Sequence, residues 1–472
     1  MNRLGLIGTL AGLSLLGFGC SVRPSESRLG SVNAGIPGSW AASKEGRAGI
    51  DQHWIRRFGD DGLNALVAEA IRNNPDMRIS AERVRRAAAS ARLASTGRGP
   101  SVEGRVNGIV QKQRFTGFPI ALGSHTSNSY GATLGINWEI DVWGRVLARQ
   151  RAALGDYQGQ QQVHRAARTS LVAQVAKAWF ALGEANDQIR VAEAAVLVRE
   201  KIVQSVRERF AEALVDEGGL ASQLRLAETD LASSRASRER WRAERERALR
   251  QVELLAGRYP RGEALSSRGL PDPPPDPPAG LPSGLLLRRP DILAAERRYA
   301  AAGERHKAAE LARYPRFSLT GSSGTSSDAL GNVLDSKFGV WSLAGGVAQP
   351  LLAGRRLREE ANIAARDEEI ALRELQGVVL RSFGEVEQAL IAESYYARRQ
   401  AAVEESARLA KEAVEAAIVD FSDGAVDALT LLSAQDRQVQ TAFQLAELLR
   451  MRLENRVNLH LALGGDFKVR GK

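Results

Sequence analysis

Few residues in this chain have both the type and the spacing to do chemistry. Cys20 is the only cysteine among 472 residues, so no intrachain disulfide can form. It stands with one residue between it and the apolar run Leu4–Phe18, at the end of a leader-like segment. The five histidines lack metal-ligand spacing with one another, and neither a Gly-Xaa-Ser-Xaa-Gly elbow nor a phosphate loop is present. Carboxylates are many, but helical faces account for them. The residues therefore carry no enzyme reading and call for no cofactor or metal.

The elements around these residues are repetitive and long. Leu171, Val175, Ala178, Leu182, Ala185, Ile189, Ala192, Val196, Arg199, Val203, Val206 and Phe210 follow alternating steps of four and three, a coiled-coil seam that only Arg199 breaks. The helix carrying it is expected over Arg145–Ala213, roughly 100 Å long. A return helix is expected over Ala221–Ala256. A second long helix over Gly354–Phe421 keeps the same step at Val403, Ala407, Ala410, Val414, Ala417 and Phe421.

Two stretches alternate with a period of two instead. Val102, Gly104, Val106, Gly108 and Val110 alternate with polar neighbours. Tyr130, Ala132, Leu134, Ile136, Trp138 and Ile140 alternate with small and polar ones. The second stretch is about ten residues long, enough to span a bilayer as a strand, with an aromatic toward each end of its apolar face. Tyr130, Leu134, Ile136 and Trp138 are its candidate lipid-facing residues. Phe115–Asn128 is expected to be the hairpin loop. Weaker strands are expected over Arg316–Ser323 and Phe338–Gln349.

The chain repeats itself. Pro75-Asp76 recurs as Pro290-Asp291, and Pro100 as Pro315, each 215 residues on; Gly144-Arg145 recurs as Gly354-Arg355, 210 residues on. Each copy reads helix, two strands, long helix, shorter helix. The first and last helices of a copy together approach the long helix in length, so end to end they would flank it. The domain bounds that follow are a leader over 1–19, a tether over 20–50, a first repeat over 51–257, a Pro-rich linker over 258–289, a second repeat over 290–465 and a tail over 466–472.

The formal net charge is +10. Its arginines are interleaved with glutamates, as in Arg235–Arg250, which makes a solvated, ion-paired helix face rather than a nucleic-acid surface. After Phe18 no stretch of 18 apolar residues occurs, so any membrane crossing must use strands. Four strands cannot close a barrel, and lipid does not tolerate an open sheet edge, so several chains would have to share one.

The start of the chain resembles a bacterial lipoprotein signal, which implies lipidation at Cys20. Gly17 departs from the usual leucine three residues before the cysteine, and Ser21 after it implies the outer membrane. The remainder, over roughly Trp54–Gly465, closely resembles the outer membrane factor family of TolC-like efflux channels, in its NodT-type lipoprotein branch. The motifs that carry the resemblance are Asn74-Pro75-Asp76, Trp138-Glu139-Ile140-Asp141-Val142-Trp143-Gly144-Arg145, the run from Leu281 to Asp291, the run from Tyr314 to Gly321, and Leu459–Gly465. It implies a mainly α fold with a small β part, internally duplicated. It also implies a homotrimer with a 12-stranded outer-membrane β-barrel continued by a long periplasmic α-helical barrel. The implied partners are a periplasmic adaptor protein, an inner-membrane pump of the resistance-nodulation-division type and outer-membrane lipid, with no nucleic acid.

The family closes its periplasmic end where the helical hairpins turn, here Phe210–Gln223 and Phe421–Ser433. Its motif Leu-Thr-Leu-Leu-Asp-Ala-Gln-Arg reads Leu429-Thr430-Leu431-Leu432-Ser433-Ala434-Gln435-Asp436 in this chain. Ser433 thus stands at the usual acidic position and Asp436 at the usual basic one. Leu429, Ser433 and Asp436 are spaced to share a helix face. The gate expected is an apolar ring from Leu429, with Asp427 or Asp436 in place of the missing acid. Two other readings stay open: the outer-membrane duct of a type I protein secretion system, and a lipid-anchored periplasmic coiled-coil adaptor.

Overall fold

A computed structural model describes residues 39–42, 54–114, 124–213, 221–263, 269–275 and 282–465. Cys20, the tether apart from residues 39–42, residues 214–220 and the tail at 466–472 lie outside the described residues. After a short 3-10 turn at Trp54–Phe58, the order is α1 (Asp61–Asn73), α2 (Pro75–Thr96), β1 (Ser101–Arg114), β2 (Ser124–Ile140), α3 (Arg145–Ala213) and α4 (Ala221–Leu255). It continues with α5 (Pro290–Leu311), β3 (Arg316–Ser327), β4 (Gly339–Ala348), α6 (Gly354–Ser422) and α7 (Ala428–Ala462). The duplication holds to the residue in its helices: α2 and α5 have 22 residues, α3 and α6 have 69, and α4 and α7 have 35.

The chain divides into two compact units. One, of Ser90–Asp156 and Ala300–Glu368, holds a four-stranded antiparallel sheet in the order β1-β2-β3-β4. Two expectations are corrected here. β2 has 17 residues rather than about ten, and the loop is shorter than Phe115–Asn128, because Ser124–Asn128 pair with Val110–Arg114. Ladder hydrogen bonds extend the hairpin past the point where apolar alternation stops. Likewise β3 runs on to Ser327.

The other unit is helical. Most of the α3 seam is buried, and Arg199 is buried with it. One apolar cluster gathers α1, α3 and the ends of α4 and α7 around Trp54, Phe58, Trp179 and Phe180. A second joins α5 to α6 through Ile292, Tyr299, Leu375, Val379, Phe383 and Val386. A third ties the far ends of α3, α4, α6 and α7 together through Val203, Val206, Ala227, Leu231, Phe421, Leu431 and Leu432.

The expected end-to-end stacking of short helices is present twice. Asn74 caps α2 through the amides of Asp76 and Met77 and donates its own amide to Leu255 O of α4, at 3.0 Å. In the second copy Arg289, just before α5, donates to Ala462 O of α7. A glycine permits each junction. Gly257 and Gly464 both sit at φ +76°, and a Cβ there would lie 2.7 Å from Asn73 O in one case and 3.1 Å from Arg289 Cγ in the other.

Candidate functional site

The sheet is the first candidate. Residues paired across an antiparallel ladder lie on the same face, so the register can be read straight across it. Ile136 of β2 pairs with Val102 of β1 and Gly321 of β3, and Gly321 pairs with Leu343 of β4. On the same face, two residues along, Leu134 lies between Gly104 and Ser323, which faces Trp341; at the other side Trp138 pairs with Leu319 and Ile140 with Phe317, opposite Val347. One face is therefore apolar across all four strands. The opposite face carries Glu103, Arg105, Asn107, Thr133, Asn137, Thr320 and Ser322.

In the single chain the apolar face meets nothing large. Val102, Val106, Leu134, Ile136, Trp341 and Leu343 are all exposed. Tyr130 lies over Gly108, where a Cβ would be 3.0 Å from its ring. The sequence-predicted Tyr130, Leu134, Ile136 and Trp138 thus share one face with apolar residues from three other strands. Sequence reading named those neighbours only in part, because their partners are set by register. At the helix end of the sheet Trp143 donates to Pro315 O at 2.9 Å and packs on Tyr314 and Phe317, which fixes the chain where strand becomes helix. Asp141 caps α3 by accepting from the amides of Val146 and Leu147.

The second candidate is the turn from α6 to α7. Gly424 takes φ +75° there. Asp427 is the N-cap of α7, exposed, accepting from the Thr430 amide at 2.9 Å and the Thr430 hydroxyl at 2.7 Å. Those two hydrogen bonds, the backbone one foremost, hold its carboxyl below the usual aspartate range. Leu431 and Leu432 turn into the core, whereas Leu429 stays 51% exposed. Leu429 and Ser433 line a groove between α6 and α7 whose α6 wall is Leu409, Ala410, Ala413 and Ala416.

Asp436 leaves that groove. Its carboxylate takes the guanidinium of Arg199 on α3, which also donates to the Ser234 hydroxyl and the Asp230 carbonyl of α4. Burial lowers the Arg199 pKa and Asp230 opposes the shift; the group stays a cation throughout, as arginine does. The face that spacing assigned to Leu429, Ser433 and Asp436 is therefore divided, the first two toward α6 and the third toward α3. Arg199 is the participant that sequence reading noted only as a break in the seam. A lone charge at a buried heptad position was the signal that could have found it. On the same end of α3, Arg209 lies 4.1 Å over the Phe421 ring and donates to Phe421 O.

Among the described residues no group of three or more His, Cys, Asp or Glu side chains stands together to hold a metal ion, and no helix is long and apolar enough to cross a membrane.

Comparison with known proteins covers nearly the whole chain. The profile described as outer membrane efflux protein matches residues 66–258 and 281–465. The chain is 30% identical to the outer membrane protein OprJ of Pseudomonas aeruginosa, over 95% of this chain and 93% of that one. It is 25% identical to the cation efflux system protein CusC of Escherichia coli, over 95% and 96%. Among solved structures it is similar to the outer-membrane channel OprN, with a TM-score of 0.86 at 25% identity, covering 94% of this chain and 99% of that one.

Proposed function

The chain belongs to the outer membrane efflux protein family and is an outer-membrane efflux channel, and from that premise we propose that three copies build a single duct. Each contributes its four strands to a 12-stranded barrel. The observation that carries this reading is the sheet itself. It has one face with apolar residues on all four strands, a polar opposite face and, among the described residues, two unpaired edges, β1 and β4. Lipid accepts such a sheet only when its edges are closed by other strands. Apolar side chains then face lipid, with Tyr130, Leu134, Ile136 and Trp138 among them, and the polar face lines the passage.

The helices continue the duct into the periplasm, with residues 51–257 and 290–465 as its two repeats joined by 258–289. Cys20 carries lipid that tethers the chain to the outer membrane. The partners are a periplasmic adaptor and an inner-membrane pump of the resistance-nodulation-division type, which pass small toxic compounds into the duct. The α6–α7 turn forms its resting gate, with Leu429 as the apolar element and Asp427 as the exposed acid beside it. Asp436, engaged by Arg199, holds the α7 end to α3. CusC is named for cations, and that name describes CusC.

The test is reconstitution. Purified protein in planar bilayers should give discrete channels, and on unheated gels it should migrate as a heat-labile oligomer. A monomer without conductance overturns the proposal.

A further inference from the structure

The polar face of the sheet changes character at its helix end. On β2 and β3 it carries mainly Ser, Thr, Asn and Gly, and on β1 the charges of Glu103 and Arg105 offset each other at 3.6 Å. At the helix end stand three arginines. Arg316 opens β3. Phe317 pairs with Ile140 on the apolar face, so Arg316 beside it lies on the polar one. Glu139 is on that same face, paired with Ser318. Arg145, the first residue of α3, is buried and donates through Nη2 to both oxygens of Glu139, at 2.6 and 2.7 Å. Arg149 follows about one turn later on α3 and is partly exposed.

The acids here are already taken. Both oxygens of Glu139 go to Arg145, and those of Asp141 go to the amides of Val146 and Leu147. Arg149 and Arg316 are left with no acid bonded to either among the described residues. They stand close enough to repel. Partial burial foremost, then Arg145 and Arg316, lower the Arg149 pKa, and Glu139 opposes them. All three groups remain cations, as arginine does. The helix adds to the cost, because α3 has no acid in its first turn and the N-terminal end of a helix dipole is itself positive. The duplication does not demand this arrangement. Moving Glu139 and Arg149 on by the 210 residues that separate Gly144 from Gly354 reaches Gln349 and Glu359, so the second copy puts an acid where the first puts Arg149.

We propose that Arg149 and Arg316 form a binding site for a multivalent oxyanion, the phosphate or carboxylate groups of a solute passing the helix end of the sheet. Two guanidiniums without acid partners offer planar forks of N–H donors, which match such oxygens in pairs. The mutual repulsion of the arginines is relieved when an anion sits between them. The inference rests on the duct proposed above, in which the polar sheet face lines the passage. Several copies then set several such sites around one axis, and like charges there raise the local concentration of anions.

Single-channel recording tests it, with the full-length chain in planar bilayers of neutral phosphatidylcholine and sodium pyrophosphate as the probe. Pyrophosphate should block the wild-type current. The concentration giving half block should rise about tenfold in Arg149→Gln/Arg316→Gln. Arg149→Lys/Arg316→Lys keeps both charges and should stay within about threefold of wild type. Neither substituted side chain holds a partner in the fold, so both double variants should still migrate as the heat-labile oligomer. Wild-type channels that pyrophosphate leaves unblocked overturn the proposal while the duct stands. Equal block in wild type and the Gln pair also overturns it. So does equal loss of block in the Gln and Lys pairs, because the substitutions would then act through structure rather than charge. A wild-type chain that forms no channel removes the duct reading, and this inference with it.

Discussion

Asp436 of α7 accepts from Arg199 of α3 across 237 positions of sequence, beside a seam otherwise filled by apolar side chains. The Arg199 side chain is 9% exposed and that of Asp436 is 46% exposed, so the cation is the buried partner and the acid reaches in from the rim. On the α4 side its Nη1 donates to the Ser234 hydroxyl and the Asp230 carbonyl. One guanidinium thus joins three helices at the level where they approach the turns.

Removing either partner should have unequal effects. Asp436→Asn leaves a buried cation short of its counter-charge and should cost about 1–3 kcal/mol, whereas Arg199→Met removes the charge and keeps the packing, and should cost less. The pair should show a coupling of about 0.5–3 kcal/mol in a double-mutant cycle of thermal unfolding. Additive effects would mean that the pair does not act as one unit.

The gate assignment predicts leak. Leu429→Ala should raise the resting conductance in planar bilayers, and Asp427→Asn should weaken block by multivalent cations applied to the helical end, since like charges from several copies attract cations there. Asp436→Ala should also raise resting conductance, by releasing α7 from Arg199. If all three variants conduct like wild type, the gate lies elsewhere.

Asp427 also predicts a pH dependence. Its folded-state pKa is depressed by the Thr430 hydrogen bonds, so its stabilisation is fully present above the ordinary aspartate value and is lost only as pH falls through the lower folded one. The first turn of α7 should therefore keep its amide-exchange protection from neutral pH down to the ordinary aspartate range and fray in stronger acid. Asp427→Ala should fray at every pH, with a loss of about 1 kcal/mol from the missing cap. Fraying of wild type at neutral pH would contradict the cap.

Ile136 sits in the middle of the apolar sheet face, between Val102 and Gly321. Ile136→Arg should cost about 2–4 kcal/mol per chain if that position lies at the bilayer midplane, and should abolish the heat-labile oligomer on gels. Asn137→Arg, on the opposite face, should be tolerated. Equal behaviour of the two would invert the orientation.

Cys20→Ala should eliminate labelling by a fatty-acid probe while leaving channel activity largely intact, because the strands hold the protein in the membrane independently. Unchanged labelling would place the lipid elsewhere or nowhere.

Much of this architecture is legible in the residues alone, because periodicity and punctuation are local. The four-three step ran within α3, which begins after Gly144, Pro75 and Pro290 opened their helices, and the alternation around Ile136 named the apolar strand face. What remained was decided by pairing between distant positions. The extra length of β2 comes from ladder bonds to β1, not from any apolar signal in Ser124–Asn128. The division of Leu429 from Asp436 comes from Arg199, whose place opposite α7 depends on how two helical hairpins pack. Spacing along one helix specifies a face; which neighbour that face meets is settled by packing free energy summed over the whole chain.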